Sequence, residues 1–400
     1  MSKYILSILL TCVASLQAVT IDELVDKSLA SHTTLKVIKE RLKSADESIK
    51  MSRYFTNPEL SFSVNDILLD DPLYRSKEPM QTASLSFKQK LFWFGKRDAS
   101  TDVAKAKKAS IYSSLESAKV ELARSVRVGA LELYEAEETF RILQEYRRVI
   151  EQNIELHSSY TSTRSGSHMG LMSAELTLSQ IKIRLERTSS LIDNLKASLR
   201  YLTALDVERI DMSSKIRKPD SLQSYKKVLQ NNKAYQLKLK KSALTKAQVA
   251  YQTANMDADP FVKLSYTYRD GFDDYVSFNI GTSLPIYGSE QSLKEIATHR
   301  ASEASLQAQD LYLKLESTLA VLHKRLLEAY SIVNILDQDS LPQLEHMFDL
   351  SSSKISSGSD LFVYIDLLKQ KLTLDEQLIV AKSSYYKIEA QLKALTGEIR

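Results

Sequence analysis

The stretch that decides the fold runs from Ser84 to Arg97: Ser-Leu-Ser-Phe-Lys-Gln-Lys-Leu-Phe-Trp-Phe-Gly-Lys-Arg. It begins as a strand, with Leu85 and Phe87 on one side and Ser84, Ser86 and Lys88 on the other. It continues through Phe92, Trp93 and Phe94, turns at Gly95, and feeds a long pattern of helical period. The event recurs at Ser277 to Ser289, Ser-Phe-Asn-Ile-Gly-Thr-Ser-Leu-Pro-Ile-Tyr-Gly-Ser, and again a long helical pattern follows. A strand that ends in aromatic residues and becomes a long helix, twice in one chain, reads as the place where the chain passes from a membrane into water. Phe92, Trp93, Phe94 and Tyr287 would then lie at the membrane boundary, where aromatic girdles sit. Lys96 and Arg97 oppose the dipole of the helix they start. They read either as headgroup contacts or as plain solvated cations.

Upstream of Ser84, Thr20-Ile-Asp-Glu23 is a capping-box pattern that starts a helix at Ile21. The helical pattern runs to about Tyr54, is broken near His32 to Thr34, and ends at Asn57-Pro58. The first strand is Glu59 to Asn65, with Leu60, Phe62 and Val64 opposite Glu59, Ser61, Ser63 and Asn65. Downstream of Asp98, Ile111, Leu115, Ala118, Leu122, Val126, Ala130 and Leu133 recur at steps of three and four. About 60 residues at this period make a rod of about 90 Å, a length that belongs to packed long helices and not to one globular core. The rod breaks at Ser165 to Gly170. A return helix carrying Ile181, Leu185, Leu195, Leu199 and Leu202 reaches about Leu205.

The second half replays the first. A helix is expected from Leu222 to Gln252. A third strand then alternates Val262, Leu264, Tyr266 and Tyr268 with Lys263, Ser265, Thr267 and Arg269. A fourth is expected to carry Val276, Phe278, Ile280, Thr282, Leu284 and Ile286 on one face. The long helix after it breaks at Ser356 to Ser359, and Pro342 kinks or restarts it after Asp339-Ser340. Gly95 corresponds to Gly288, Ser165-Gly166 to Ser357-Gly358, and Leu202-Thr203-Ala204 to Leu395-Thr396-Gly397. Such a duplication organises the chain. Residues 1–18 are a signal peptide, 19–205 a first structural repeat, 206–219 a linker or equatorial segment, and 220–400 a second repeat, with 19–400 one interwoven domain.

Composition supports long elements and excludes several function classes. Gly (9) and Pro (7) are scarce among 400 residues, and a net charge of +4 offers no support for nucleic-acid binding. Met1 to Ala18 has the charge, apolar run and small residues of a secretory signal, with cleavage after Ala18 or Ala14. The only cysteine, Cys12, lies within it; Thr11 is a poor residue before a lipidated cysteine, so Cys12 is read as removed with the signal. No disulfide framework is then possible. No later stretch approaches the apolar length of a spanning helix. His32, His157, His168, His299, His323 and His346 have no metal-ligand spacing. No phosphate loop or nucleophile motif is present. Neither catalysis, a cofactor nor a metal is expected.

Four strands with one wet and one apolar face do not make a good core. An apolar face turned outward over a polar interior is the pattern of a membrane barrel. Four strands cannot close, and an open edge cannot sit in lipid, so several copies must share one barrel. The fold class is mainly α with a small transmembrane β part. The alternative is a soluble periplasmic coiled-coil adaptor or structural protein, but no Gly-rich barrel or lipoyl-like module of an adaptor is present.

In this order of elements the chain resembles the TolC family of outer-membrane efflux and secretion channels. The residues that carry the resemblance are Asn57-Pro58-Glu59-Leu60, Leu91-Phe92-Trp93-Phe94-Gly95-Lys96-Arg97, Leu284-Pro285-Ile286-Tyr287-Gly288 and the closing Leu395-Thr396-Gly397. The resemblance implies a homotrimer with a 12-stranded outer-membrane β-barrel continuous with a long periplasmic α-helical barrel. It implies a passive exit duct of a tripartite efflux pump or type I secretion system, docked to a periplasmic adaptor (membrane fusion protein) and an inner-membrane transporter. The adaptor-contact tips would be Met169, Gly170 and Leu171, and Ser357, Gly358 and Ser359. The periplasmic aperture would be formed by Asp366 with Val363 and Tyr364, although Val363 stands where a second aspartate is expected. A solvated helix face accounts equally for Asp366, and a simple helix end for Gly170.

Overall fold

The computed structural model describes residues 19–92, 95–160, 168–212, 215–355 and 361–399. A short strand β1 (Val19–Thr20) leads into α1 (Ile21–Ser31) and α2 (Thr33–Met51). The hairpin of β2 (Glu59–Asn65) and β3 (Thr82–Lys90) follows, then the helices α3 (Lys96–Tyr160) and α4 (His168–Thr203). In the linker, β4 (Ile210–Asp211) pairs in parallel with β1. The second round is α5 (Leu222–Val228), a 3-10 turn (Leu229–Asn231), α6 (Lys233–Ala254), β5 (Pro260–Tyr268), β6 (Tyr275–Thr282), α7 (Ser289–Ile335), a π-type turn (Leu336–Ser340), α8 (Leu341–Ile355) and α9 (Leu361–Thr396). The duplicated helix-strand-strand-helix-helix order is the one the sequence predicts.

Local chemistry explains the boundaries. At the start of α1 the Glu23 amide donates to Thr20 Oγ1 and the Thr20 amide to the Glu23 carboxylate, the two bonds of a capping box. The chain breaks at His32, as expected. The second repeat breaks too, at Asn232, where one continuous helix was expected. Both breaks serve the same end. Ser28 Oγ donates to Leu202 O at 2.7 Å, and Asn232 Nδ2 donates to Leu395 O at 2.9 Å. Leu202 and Leu395 are equivalent residues in the last turns of α4 and α9, whose final carbonyls have no partner within the helix. An Asn in a helical pattern is only a weak breaker, so the partner at Leu395, far along the chain, decides the break.

Those two helices also end alike. Ala204 and Gly397 occupy the same position, with φ of 57° and 85°. A left-handed residue after the last turn is the usual helix stop, and glycine adopts it without strain. At Gly397 a Cβ would stand 2.4 Å from the carbonyl oxygen of Asn231, so only glycine fits. The fourth strand is shorter than expected: β6 stops at Thr282, opposite Pro260 where its partner β5 begins, and Pro285 beyond it has no N–H to extend the ladder. Pro342 lies in the first turn of α8, directly after the π-type turn. The backbone stays helical from Ser289 to Ile355, so the helix is not restarted; the chain instead widens into the π-type turn just ahead of Pro342, where the missing donor is accommodated.

The described residues fall into two compact units, each drawing on both repeats. One is built from the chain up to Leu35 with Ala118–Asn232 and Leu315–Arg400. Its core includes Ile142, Leu143 and Ile150 of α3, Ile181 and Leu185 of α4, and Ile365, Leu368 and Leu372 of α9. The other unit, Lys36–Ser117 with Lys233–Lys314, holds the four-stranded sheet.

Candidate functional site

The sheet has the order β2-β3-β5-β6, antiparallel throughout. Register aligns like with like. Leu60, Phe87, Leu264 and Phe278 form one cross-sheet row, and Phe62, Leu85, Tyr266 and Val276 form another on the same face. The opposite face carries Ser61, Ser86, Ser265 and Ser277, then Ser63, Ser84, Thr267 and Tyr275. Burial runs opposite to that of a sheet in a soluble protein. Within the two central strands Phe87 and Leu264 are 46% and 51% exposed, whereas Ser86 and Ser265 are 5% and 9% exposed; the edge strand β2 is exposed on both faces. The hydroxyls satisfy one another across strands, Ser61 with Ser86 at 2.7 Å and Ser63 with Ser84 at 2.8 Å. All eight side chains of the two apolar rows are exposed. Burying one such side chain is worth about 1.5–3 kcal/mol, so in water this face would forgo most of that for every one of them. Lipid is the solvent in which the arrangement has no such cost.

The strand-to-helix junctions are built alike. Gly95 and Gly288 have φ of 73° and 77°, and open space surrounds both, so backbone conformation and not crowding selects glycine. Tyr287 is almost fully exposed and Phe92 is exposed, while Trp93 and Phe94 lie outside the described residues. Neither expected reading of Lys96 holds. Its side chain is buried, with Nζ 2.9 Å from Asp259 Oδ1, and it donates to the Asp257 carbonyl. Arg97 turns outward, with its guanidinium 4.9 Å from the centroid of the Phe55 ring.

Between β2 and β3 the loop is held by two residues that carried no sequence signal. The buried Gln81 accepts from the amides of Lys77 and Glu78 and donates to the carbonyls of Tyr74 and Asp66. Arg75 donates to the carbonyls of Asn65, Asp66 and Thr82. Polar residues at loop positions read as solvated; only the fold shows that these are the loop's hydrogen-bonded centre.

On α9, Ile365, Leu368 and Leu372 face the core, while Val363 and Asp366 face outward. Asp366 Oδ2 accepts from Gln370 Nε2 at 2.8 Å, one turn on. Tyr364 is drawn instead against Phe348 of α8, ring centroids 4.9 Å apart. At the other tip Gly170 is buried and Leu171 half-buried; the Met169 side chain and Ser357, Gly358 and Ser359 lie outside the described residues. Further along, α9 is tied to α3 and α4 by polar links the sequence did not reveal. Tyr146 Oη donates to Asp375 Oδ2 at 2.8 Å, Arg184 pairs with Glu376, and Lys387 pairs with Glu135 at 2.6 Å. Burial, reinforced by the bond to Asp375, pushes the Tyr146 hydroxyl well above the usual phenol range. Burial also raises the Glu376 carboxyl against the opposing pull of Arg184.

Among the described residues no group of three or more His, Cys, Asp or Glu could hold a metal ion, and no helix is long and apolar enough to cross a membrane. Residues 24–203, nearly the whole first repeat, match the family model "Outer membrane efflux protein". The fold is similar to that of the outer membrane protein VceC of Vibrio cholerae, at 16% identity and a TM-score of 0.78, over 95% of this chain and 97% of that one. It is similar to the CmeC outer membrane channel of Campylobacter jejuni, at 14% identity and a TM-score of 0.75, over 94% and 85% of the two chains. The open state of the MtrE outer membrane channel of Neisseria gonorrhoeae gives 14% identity and a TM-score of 0.73 over 94% and 89%. No curated protein sequence matches the chain significantly. The first repeat thus matches the outer membrane efflux protein model, and from end to end the chain shares the fold of outer-membrane channels.

Proposed function

We propose that this protein is the outer-membrane exit duct of a tripartite efflux pump or type I secretion system. The observation that carries the reading is the inverted sheet, apolar outside and hydroxyl-lined inside, with an unpaired edge at β2 and another at β6. Backbone groups at such edges must find partners before they can enter lipid. Three copies would pair β6 of one with β2 of the next and close 12 strands into one barrel. The long helices of each repeat would then continue the duct through the periplasm. The chain is a passive conduit and not an enzyme. Energy comes from an inner-membrane transporter, reached through a periplasmic adaptor that contacts Met169, Gly170 and Leu171 and Ser357, Gly358 and Ser359. Cargo choice rests largely with the transporter.

Asp366 is assigned to the aperture with Val363 and Tyr364 beside it. Its outward position on α9 supports this; three carboxylates around a threefold axis would attract cations. The experiment that tests the whole reading is fractionation with chemical crosslinking, followed by planar-bilayer recording. An outer-membrane trimer that conducts is expected, and a soluble periplasmic monomer would sink the proposal. Within the conducting trimer, Asp366→Ala should change conductance or relieve cation block; unchanged currents would remove Asp366 from the aperture.

A further inference from the structure

In the unit that holds the sheet, a cleft of about 550 Å³ opens at the junction end of the strands, where Gly95 turns β3 into α3. Tyr54, Phe55, Phe92, Arg97, Tyr251 and Asp259 line it. We propose that this cleft holds the phosphate headgroup of a glycerophospholipid from the leaflet of the outer membrane that faces the periplasm. The inference rests on the reading of the apolar sheet face as a lipid face.

Position comes first. Gln89 shares the outward face of β3 with Leu85 and Phe87, and its side-chain Nε2 donates to Thr56 O at 3.0 Å. Thr56 is thereby fixed at the end of the apolar face, and with it the neighbouring Phe55 and the wall of the cleft. A lipid whose chains lie along Leu85 and Phe87 reaches the cleft with its headgroup. Charge comes second. Lys96 is occupied by Asp259 at 2.9 Å, which leaves Arg97 as the cation of the lining without a carboxylate at ion-pair distance among the described residues. Its guanidinium lies over the Phe55 ring, with Cζ 4.9 Å from the centroid, and its N–H groups can meet the two unesterified oxygens of a phosphodiester. One cation meets one phosphate charge. Surface chemistry comes third. Tyr54 and Phe55 are 66% and 56% exposed, and Phe92 is also exposed. Tyr54, with an apolar ring and a polar hydroxyl, is at home at this depth of a membrane, and the two phenylalanines face the apolar side of it.

The second junction lacks the matching pair. Ahead of β5 it reads Met256-Asp257 where the first repeat has Tyr54-Phe55, and α7 opens on Ser289-Glu290 where α3 opens on Lys96-Arg97. Among the described residues the pairing of Arg97 with Phe55 therefore has no counterpart at the second junction.

The full-length protein, purified from outer membranes in a non-ionic detergent, is titrated with dioleoyl phosphatidylglycerol and read by native mass spectrometry. One lipid per chain is expected to survive activation that strips the rest. Arg97→Gln should weaken its retention at least tenfold, and Phe55→Ala at least threefold. Arg53→Gln, which removes a cation outside the lining, should change nothing, and inorganic phosphate at millimolar concentration should not displace the lipid. Equal retention in wild type and Arg97→Gln would overturn the proposal, and so would displacement by inorganic phosphate, which would make this a free-anion site. A protein that needs no detergent to leave the cell would defeat the membrane reading itself, and is recognised before any lipid is added.

Discussion

Replacing Phe278 by Lys separates a lipid face from a wet one. Phe278 is mid-strand in β6, aligned with Leu264, Phe87 and Leu60, and 65% exposed. At a water-facing position this exposed, the aliphatic stem of Lys would cover much of what the ring covers, and the change would lie within about 1 kcal/mol. At mid-depth in a bilayer the ammonium costs about 2–4 kcal/mol per chain, a factor of roughly 30 to 1,000. Three chains sharing a barrel would bear that cost three times. The control is one residue away. Ser277 points to the other face, into the row of Ser61, Ser86 and Ser265, and Ser277→Lys should change stability by less than about 1 kcal/mol. The assay is urea refolding into lipid vesicles, with assembled barrel read as heat-modifiable electrophoretic mobility. Loss of assembly in Phe278→Lys with retention in Ser277→Lys is expected. The reverse pattern, or two indistinguishable variants, would refute the assignment of the faces.

Other consequences follow from packing and charge. Gly397→Ala should destabilise by about 2–4 kcal/mol, because the left-handed conformation costs about 1–2 kcal/mol and the new Cβ meets the Asn231 carbonyl; Gly95→Ala, with open space around it, should cost only the first part, and equal urea midpoints for the two would refute the contact. Tyr146→Phe removes the donor to Asp375 and should cost about 1–2 kcal/mol in the same measurement, moderated because Asp375 is partly hydrated. Tyr386 has its hydroxyl pushed up to about 12, first by burial and then by Glu389. A raised folded pKa means that the folded chain holds the proton more tightly. The associated stability is complete below the ordinary phenol range near 10 and is lost as pH rises to about 12. In an ultraviolet titration the amplitude missing from Tyr386→Phe should therefore appear near pH 12; an amplitude missing near pH 10 would contradict this environment.

Much of the fold is written in local pattern. The capping box at Thr20 and Glu23, the strand Glu59–Asn65, the turns at Gly95 and Gly288 and the irregularity beside Pro342 each depend on residues within a few positions of one another, and each is found where the sequence puts it. The candidate site was less legible. Asp366 and Val363 are outward as their helical phase requires, but Tyr364 is claimed by Phe348 on α8, and no period within α9 reveals that pairing. The break at Asn232 escaped for the same reason, since its cause is a carbonyl at Leu395.

By itself the sequence determined that each repeat alternates two faces along its strands and then winds into long helices, because period two and period 3.6 are properties of the backbone that any window of residues displays. It also determined that these events occur twice. Only the tertiary structure decided that Lys96 turns in to Asp259 while Arg97 turns out onto Phe55, and that the stop after α9 must be glycine where the equivalent stop after α4 accepts Ala204. Those outcomes depend on groups brought together from distant parts of the chain, and their energies exist only once the fold has formed.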